Sequence, residues 1–247
     1  VEFTYEAGYN YGYSAFGTYQ DNVVRNSQFD GTLESLAAST TGDFLACGDF
    51  VDGKLMGVES GTNAVYYING DGTQYPAGTL QGLADITGIA YDMTTGTVYA
   101  VDYDGTNSNL YTVDASMNAT LVGAIGPEIV IGIAMDTLGN LYGVELTNDN
   151  FISIDVATGA QTVIGALGVD LNYAQDIGSD RVNNKIYGTL YYGASGSETG
   201  GWCEIDVATG TANVINDFGD EVTMCAVKGQ AMYPINFTVV DENTDPC

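Results

Sequence analysis

The chain has 247 residues, 45% of them apolar, with 32 carboxylates against five basic side chains (Arg25, Lys54, Arg181, Lys185 and Lys228), a net charge of −27 and no histidine. Such a field repels phosphate backbones and anionic membrane surfaces, so nucleic acid is excluded as a partner while cations, cationic proteins and neutral glycans are favoured. The missing histidine excludes Ser-His-Asp and Cys-His nucleophilic systems, and no apolar run approaches the roughly 20 residues of a membrane helix, so no membrane insertion is expected.

From the N-terminus, Tyr11-Gly12-Tyr13 followed by Phe29-Asp30 opens a pattern that keeps returning. It recurs at Leu55-Met56-Gly57-Val58 with Ile68-Asn69, and at Thr97-Val98-Tyr99-Ala100-Val101 with Val113-Asp114. The clearest copies are Leu141-Tyr142-Gly143-Val144 with Ile154-Asp155-Val156-Ala157-Thr158-Gly159, and Lys185-Ile186-Tyr187-Gly188 with Ile205-Asp206-Val207-Ala208-Thr209-Gly210. Alternating apolar residues bounded by Gly, Asn, Asp and Thr read as strands, with no helical period. Short strands repeating every 40–50 residues or so predict an all-β propeller. Each blade is expected to have four strands, A to D from the axis outward. Strand A carries the small-residue pattern, B the Tyr-Gly segment, C ends at the Asp or Asn, and D follows the turn.

The expected A-strand centres are Cys47, Ile89, Ile133, Ile177 and Cys225, while the C-strand turns fall at Asp30, Asn69, Asp114, Asp155 and Asp206. Asp30 has no A strand before it, and Cys225 has no C strand after it. Residues near 222–228 therefore supply strand A of the blade whose other strands come from about 9–40. That closes five blades with both ends of the chain and removes open sheet edges. Six blades is the alternative, if Ala231 to Val240 forms strands of its own. Gly48, Ala90, Ala134, Gly178 and Ala226 form a ring of small residues where five inner strands crowd the axis, since larger ones would overpack it. The propeller is expected over 1–234. Residues 235–247, with their acidic run, read as a tail or the start of a linker within a longer multidomain protein.

Cys47 and Cys225 hold equivalent positions on neighbouring blades. They form either a disulfide or two core thiols in place of Ile. Cys203 pairs with Cys247 or stays free. An even cysteine count leans towards an oxidising compartment.

The series Ile86-Thr87-Gly88-Ile89-Ala90-Tyr91-Asp92, Thr95-Gly96-Thr97-Val98-Tyr99-Ala100-Val101 and Leu110-Tyr111-Thr112-Val113-Asp114 resembles secreted propeller domains of Bacteroidetes surface proteins. The resemblance runs from about Tyr9 to Val227. It implies a secreted or cell-surface, adhesin-like setting and brings no catalytic residues.

Ligands of propellers are expected on the face of the B–C and D–A loops. There the long B–C loops offer Tyr103, Asp104 and Asn107, then Tyr191, Tyr192 and Trp202, with Tyr173 from a neighbouring loop. Aromatic faces mixed with amides and carboxylates suit a carbohydrate. Asp43, Asp85 and Glu221, each four residues before an A-strand centre, would place carboxylates at the channel mouth. These suit a hard cation such as Ca²⁺ or the acid and base of glycoside cleavage; no other cofactor is expected. The repeated Asp of the C–D turns reads as turn chemistry. The leading expectation is a non-catalytic extracellular binding module for glycan or protein. The alternatives are a glycoside-active five-bladed enzyme using the mouth carboxylates and a structural spacer in a surface assembly.

Overall fold

A computed structural model describes residues 1–230; Pro234, the tail from 235 and Cys247 lie outside the described residues. Strands β1 (Tyr9–Phe16), β2 (Asn22–Ser27) and β3 (Leu33–Ala38) come first. Four antiparallel meanders follow. They are β4 (Leu45–Val51), β5 (Lys54–Glu59), β6 (Ala64–Ile68) and β7 (Gln74–Thr79), then β8 (Asp85–Asp92), β9 (Thr97–Tyr103), β10 (Ser108–Val113) and β11 (Ala119–Gly126). The third is β12 (Val130–Met135), β13 (Leu141–Glu145), β14 (Asn150–Ile154) and β15 (Gln161–Ala166). The fourth is β16 (Asp176–Asp180), β17 (Lys185–Tyr192), β18 (Thr199–Ile205) and β19 (Ala212–Asp217). Finally β20 (Glu221–Lys228) returns to pair with β1, so the first sheet reads β20-β1-β2-β3.

The protein is a five-bladed β-propeller. Strand β20 lies between β4 and β16 in the inner ring, so the ring closes with five blades and the six-bladed alternative falls. We number the blades 1 to 5, starting with the one the two ends share.

Packing lies between blades. Each of the five blade-to-blade joints holds its own apolar cluster, such as Val101, Leu110, Ile133, Leu141 and Ile152 between blades 3 and 4. Both faces of a blade are therefore buried, which explains the nearly unbroken apolar runs of the B strands. The joint between blades 5 and 1, where the ring closes, is built differently: Tyr187 stacks on Trp202 with centroids 4.8 Å apart and planes 5° from parallel. The Trp202 Nε1–H donates to the Gln28 carbonyl at 3.0 Å, tying blade 5 to blade 1.

The small residues near the axis are required by contact. A Cβ on Gly178 would lie 2.3 Å from the Cys225 carbonyl oxygen, and one on Gly48 would lie 2.7 Å from that of Met56. The Asp176 carboxylate is fully buried here and accepts from the amides of Gly48 (3.1 Å) and Cys225 (2.9 Å), linking three inner strands. One layer towards the A–B turns, the Arg181 guanidinium of blade 5 forms an ion pair with Asp49 of blade 2. It also donates to the carbonyls of Phe50 and Tyr91, both at 3.1 Å, joining blades 5, 2 and 3.

The C–D turns are Asx turns. Asp155 Oδ1 accepts from the Ala157 amide at 2.8 Å, and Asp206 Oδ1 from that of Ala208 at 2.9 Å. Each of these turns also rests on the outer strand of the preceding blade: a Cβ on Gly123 would lie 2.1 Å from the Thr158 oxygen, and one on Gly165 would lie 2.1 Å from the Thr209 oxygen.

Cys47, Cys203 and Cys225 are buried free thiols, which corrects the expected Cys47–Cys225 bridge. The reason is directional: Cys47 packs between blades 2 and 3, and Cys225 between blades 5 and 1. Burial, with Asp176 nearby, pushes both thiols well above the usual cysteine range. The alternative reading, thiols substituting for Ile, holds. The Cys203–Cys247 pairing falls outside the described residues.

Residues before β1, which carry no part of the repeat, strap blade 2. The Thr4 amide donates to Asn69 Oδ1 at 2.9 Å, and the Tyr5 hydroxyl donates to the Ile68 carbonyl at 2.8 Å while its ring meets Phe50 edge-on at 4.8 Å.

Candidate functional site

The B–C and D–A loops share one end of the ring, and on it a cleft of about 450 Å³ opens between blades 1 and 2. Gln20 and Asp21 enter from the β1–β2 loop, Ser39, Thr41 and Asp43 from the β3–β4 loop, and the half-buried Phe44 supplies aromatic surface, while Tyr13 is 2% exposed. The walls are mostly hydroxyl, amide and carboxylate groups. The Ser39 and Thr41 hydroxyls share a hydrogen bond of 2.7 Å. The Tyr13 hydroxyl donates to Asp21 Oδ1 at 3.3 Å. Burial, then the Asp21 carboxylate, pushes Tyr13 up to about 12, so it is a neutral donor at ordinary pH. Asp21 holds φ at 60°, a left-handed conformation uncommon outside glycine.

A second cluster lies across blade 1, towards blade 5. The rings of Tyr173 and Tyr191 meet at 6.0 Å and 57°. Glu221 accepts from the Ala174 amide at 3.0 Å and sits opposite Phe16 in the β1/β20 register. Burial holds the Glu221 carboxyl above the usual carboxylate range. Tyr173 is 66% exposed with φ at 52°, an uncommon conformation for an aromatic residue. Backbone strain kept at an exposed ring is a pointer to function.

Of the sequence-predicted residues, Tyr173, Tyr191 and Glu221 come together, and Asp43 lines the cleft. Trp202 is different: it is fully buried in the closing joint, so it presents no surface to a ligand. Tyr192 is half-buried and its hydroxyl donates to the Asp217 carboxylate, with burial raising its pKa. Tyr103 ends β9, also half-buried. Asp104 spends its oxygens on its own turn, accepting from the Thr106 and Asn107 amides at 2.8 Å and from Asn109 at 3.1 Å, while the Asn107 carbonyl accepts from the Asp104 amide at 3.1 Å.

Each mouth carboxylate has its own backbone partner. Asp43 accepts from the Phe44 amide at 2.8 Å within the β3–β4 loop, and Asp85, at the start of β8, accepts from the Gly61 amide of the β5–β6 loop at 3.0 Å. Among the described residues no three Asp, Glu or Cys side chains come close enough to share a metal ion. Other buried carboxylates have the same loop-closing work: Glu59 accepts from the amides of Gly42 (2.6 Å) and Asp43 (2.9 Å), and Asp220 from those of Thr18 and Tyr19 (both 2.7 Å).

Sequence reasoning missed Gln20, Asp21, Ser39 and Thr41. The signal available was the hydroxyl run Ser39-Thr40-Thr41 just before Gly42-Asp43, in a loop short enough to pass for a simple connection. It also missed how the cations divide. Lys54, Arg181, Lys185 and Lys228 all lie in or beside A–B turns, and Arg25 lies within β2, so the B–C/D–A face carries none of the five.

No family model matches this sequence, and no curated protein matches it. Among solved structures, the chain is similar to one from a nidogen/laminin complex, with a TM-score of 0.55 and 14% identity, covering 92% of this chain and 84% of the other. It is also similar to a protein of unknown function from Bacteroides thetaiotaomicron, with a TM-score of 0.53 and 15% identity, covering 91% of this chain and 66% of that one. At such identities the likeness carries the fold alone.

Proposed function

We propose that the protein is a binding module displayed outside the cell, and that its ligand is an uncharged glycan held on the B–C/D–A face. The observation that carries this reading is the cleft between blades 1 and 2. It is concave, of ligand-binding size, and lined by the hydroxyl, amide and carboxylate groups that pair with sugar hydroxyls, beside aromatic surface. Tyr173, exposed and backed by the buried Tyr191, gives a second stacking surface across blade 1. The absence of cations from this face narrows the ligand further. Sulfated or sialylated sugars would meet carboxylates with nothing to offset them. The extracellular setting is supported by the resemblance to secreted surface propellers and by a chain with few cleavage sites for trypsin-like proteases.

A glycan array probed with the intact domain, Asp21→Ala and Tyr173→Asn tests the reading. Neutral glycans should bind the parent and lose signal in Asp21→Ala. Tyr173→Asn, which suits the left-handed backbone, should weaken binding without lowering Tm. Silence of the parent on every neutral glycan, or binding unchanged in both variants, would overturn the glycan reading in favour of a protein ligand.

A further inference from the structure

The opposite face, at the A–B turns, holds a separate cavity of about 410 Å³ over the end of the channel that Arg181 closes. Its chemistry is unlike that of the cleft. Phe50 and Tyr91 form aromatic walls, and Met93 and Val182 stand at its rim, 60% and 55% exposed. Together with the aromatic walls, these two rim side chains make one apolar lining beside the basic groups of the cavity.

Two of the five basic residues, Arg181 and Lys228, line this same cavity. Arg181 gives three of its N–H bonds to Asp49, Phe50 and Tyr91, and a guanidinium has five. Its charge is offset by Asp49. Asp52, the carboxylate on the wall, already accepts from the Tyr91 hydroxyl at 2.5 Å. Lys228 is the exception. Its ammonium lies over the rings of Phe50 at 5.2 Å and Tyr5 at 6.0 Å, and among the described residues it has no carboxylate partner. Ring faces attract a cation but do not neutralise it. The many carboxylates elsewhere act weakly here, since charges separated by more than about 8 Å are largely screened at physiological ionic strength.

We propose that this cavity is a second binding site, for a small organic anion with an aromatic or branched apolar body and a single carboxylate. The body would cover Met93 and Val182 and lie against Phe50 and Tyr91, while the carboxylate accepts from Lys228 and from an N–H that Arg181 leaves unused. A neutral molecule of the same shape would leave the Lys228 charge without a partner, so selectivity for the anion follows from the site. The proposal is independent of the glycan reading, because the two sites lie on opposite ends of the ring and share no residue.

The test uses phenylacetate and its neutral counterpart phenylacetamide, titrated into protein labelled at methionine methyls. Met93 reports on the cavity, and the buried Met135 and Met224 report on folding. Phenylacetate should shift the Met93 methyl saturably, with phenylacetamide about tenfold weaker, the weight of one charge-assisted hydrogen bond. Lys228→Met should abolish that preference and Lys228→Arg should retain it, with the Met135 and Met224 signals unmoved in both. Equal affinity for the two probes, a preference that survives Lys228→Met, or no saturable Met93 shift with either probe would overturn the proposal.

Discussion

Replacing Arg181 with Met tests how the axis is closed. The guanidinium side chain is 13% exposed and its Asp49 partner 7% exposed, so the pair is largely withdrawn from water. Met fills a similar length but leaves Asp49 without its counter-charge. Removing one member of a buried pair costs roughly 3–5 kcal/mol, because the remaining charge is stranded. Asp49 keeps the amides of Phe50 (2.7 Å) and Tyr91 (2.8 Å), and the A–B-face cavity lets water approach, so the lower end applies. A loss of about 3 kcal/mol corresponds to a fall in Tm of about 6–12 °C for a chain of this size. Urea unfolding followed by far-ultraviolet circular dichroism measures it. The companion Asp49→Asn in the same background should recover about half of the loss by removing the stranded charge. A single variant within about 0.5 kcal/mol of the parent would refute the argument that this pair locks blades 2, 3 and 5 together.

Gly165→Ala should destabilise by about 1–3 kcal/mol in the same assay, because its Cβ would lie 2.1 Å from a backbone oxygen of the next blade, which cannot rotate away. In a Cys247→Ser background, Cys47, Cys203 and Cys225 should be inert to a disulfide reagent in the native protein and all react in guanidinium, and reductant should leave Tm unchanged. Stability should also peak at mildly acidic pH. Burial raises the carboxyl pKa of Asp176 and Glu221, so the native state holds protons that the unfolded chain releases. Their contribution is therefore complete below the unfolded value of about 4 and is lost as pH rises through their folded values. Glu59 and Asp92 act in the opposite sense. Burial opposes ionisation, but hydrogen bonds from Thr62, Asp43 and Gly42 to Glu59, and from Thr94 and Thr95 to Asp92, hold both below their usual values. Their contribution is present above the unfolded value and lost only as pH falls through the lower folded one. A Tm that climbs steadily from pH 5 to pH 8 would contradict this balance, and Glu221→Gln should flatten part of the slope.

The residues that announced the blades are local ones. Asp155 and Asp206 with the glycines that follow them, the Tyr-Gly strands and the small A-strand residues each encode a turn or a strand within a few positions, and their spacing sets the blade count. The orphan turn at Asp30 and the orphan strand at Cys225 even determined how the ring closes, since an unpaired edge has only one complementary edge to join. What no local signal carried is which way a side chain faces once the blades pack. Both faces of a blade are buried, so alternation along β18 gives no inside and outside, and Trp202, expected as a ligand platform, fills the closing joint instead. Aligning Cys47 with Cys225 is one residue out: Gly48 pairs with Gly57 as Ile133 pairs with Gly143 and Ile177 with Gly188, so Cys47 faces the other joint. The grouping of Tyr173 with Tyr191 and Glu221, the cleft between blades 1 and 2, and the gathering of four cations at the A–B end were likewise decided by the ring. Loops from different repeats meet only after the strands are wound about a common axis.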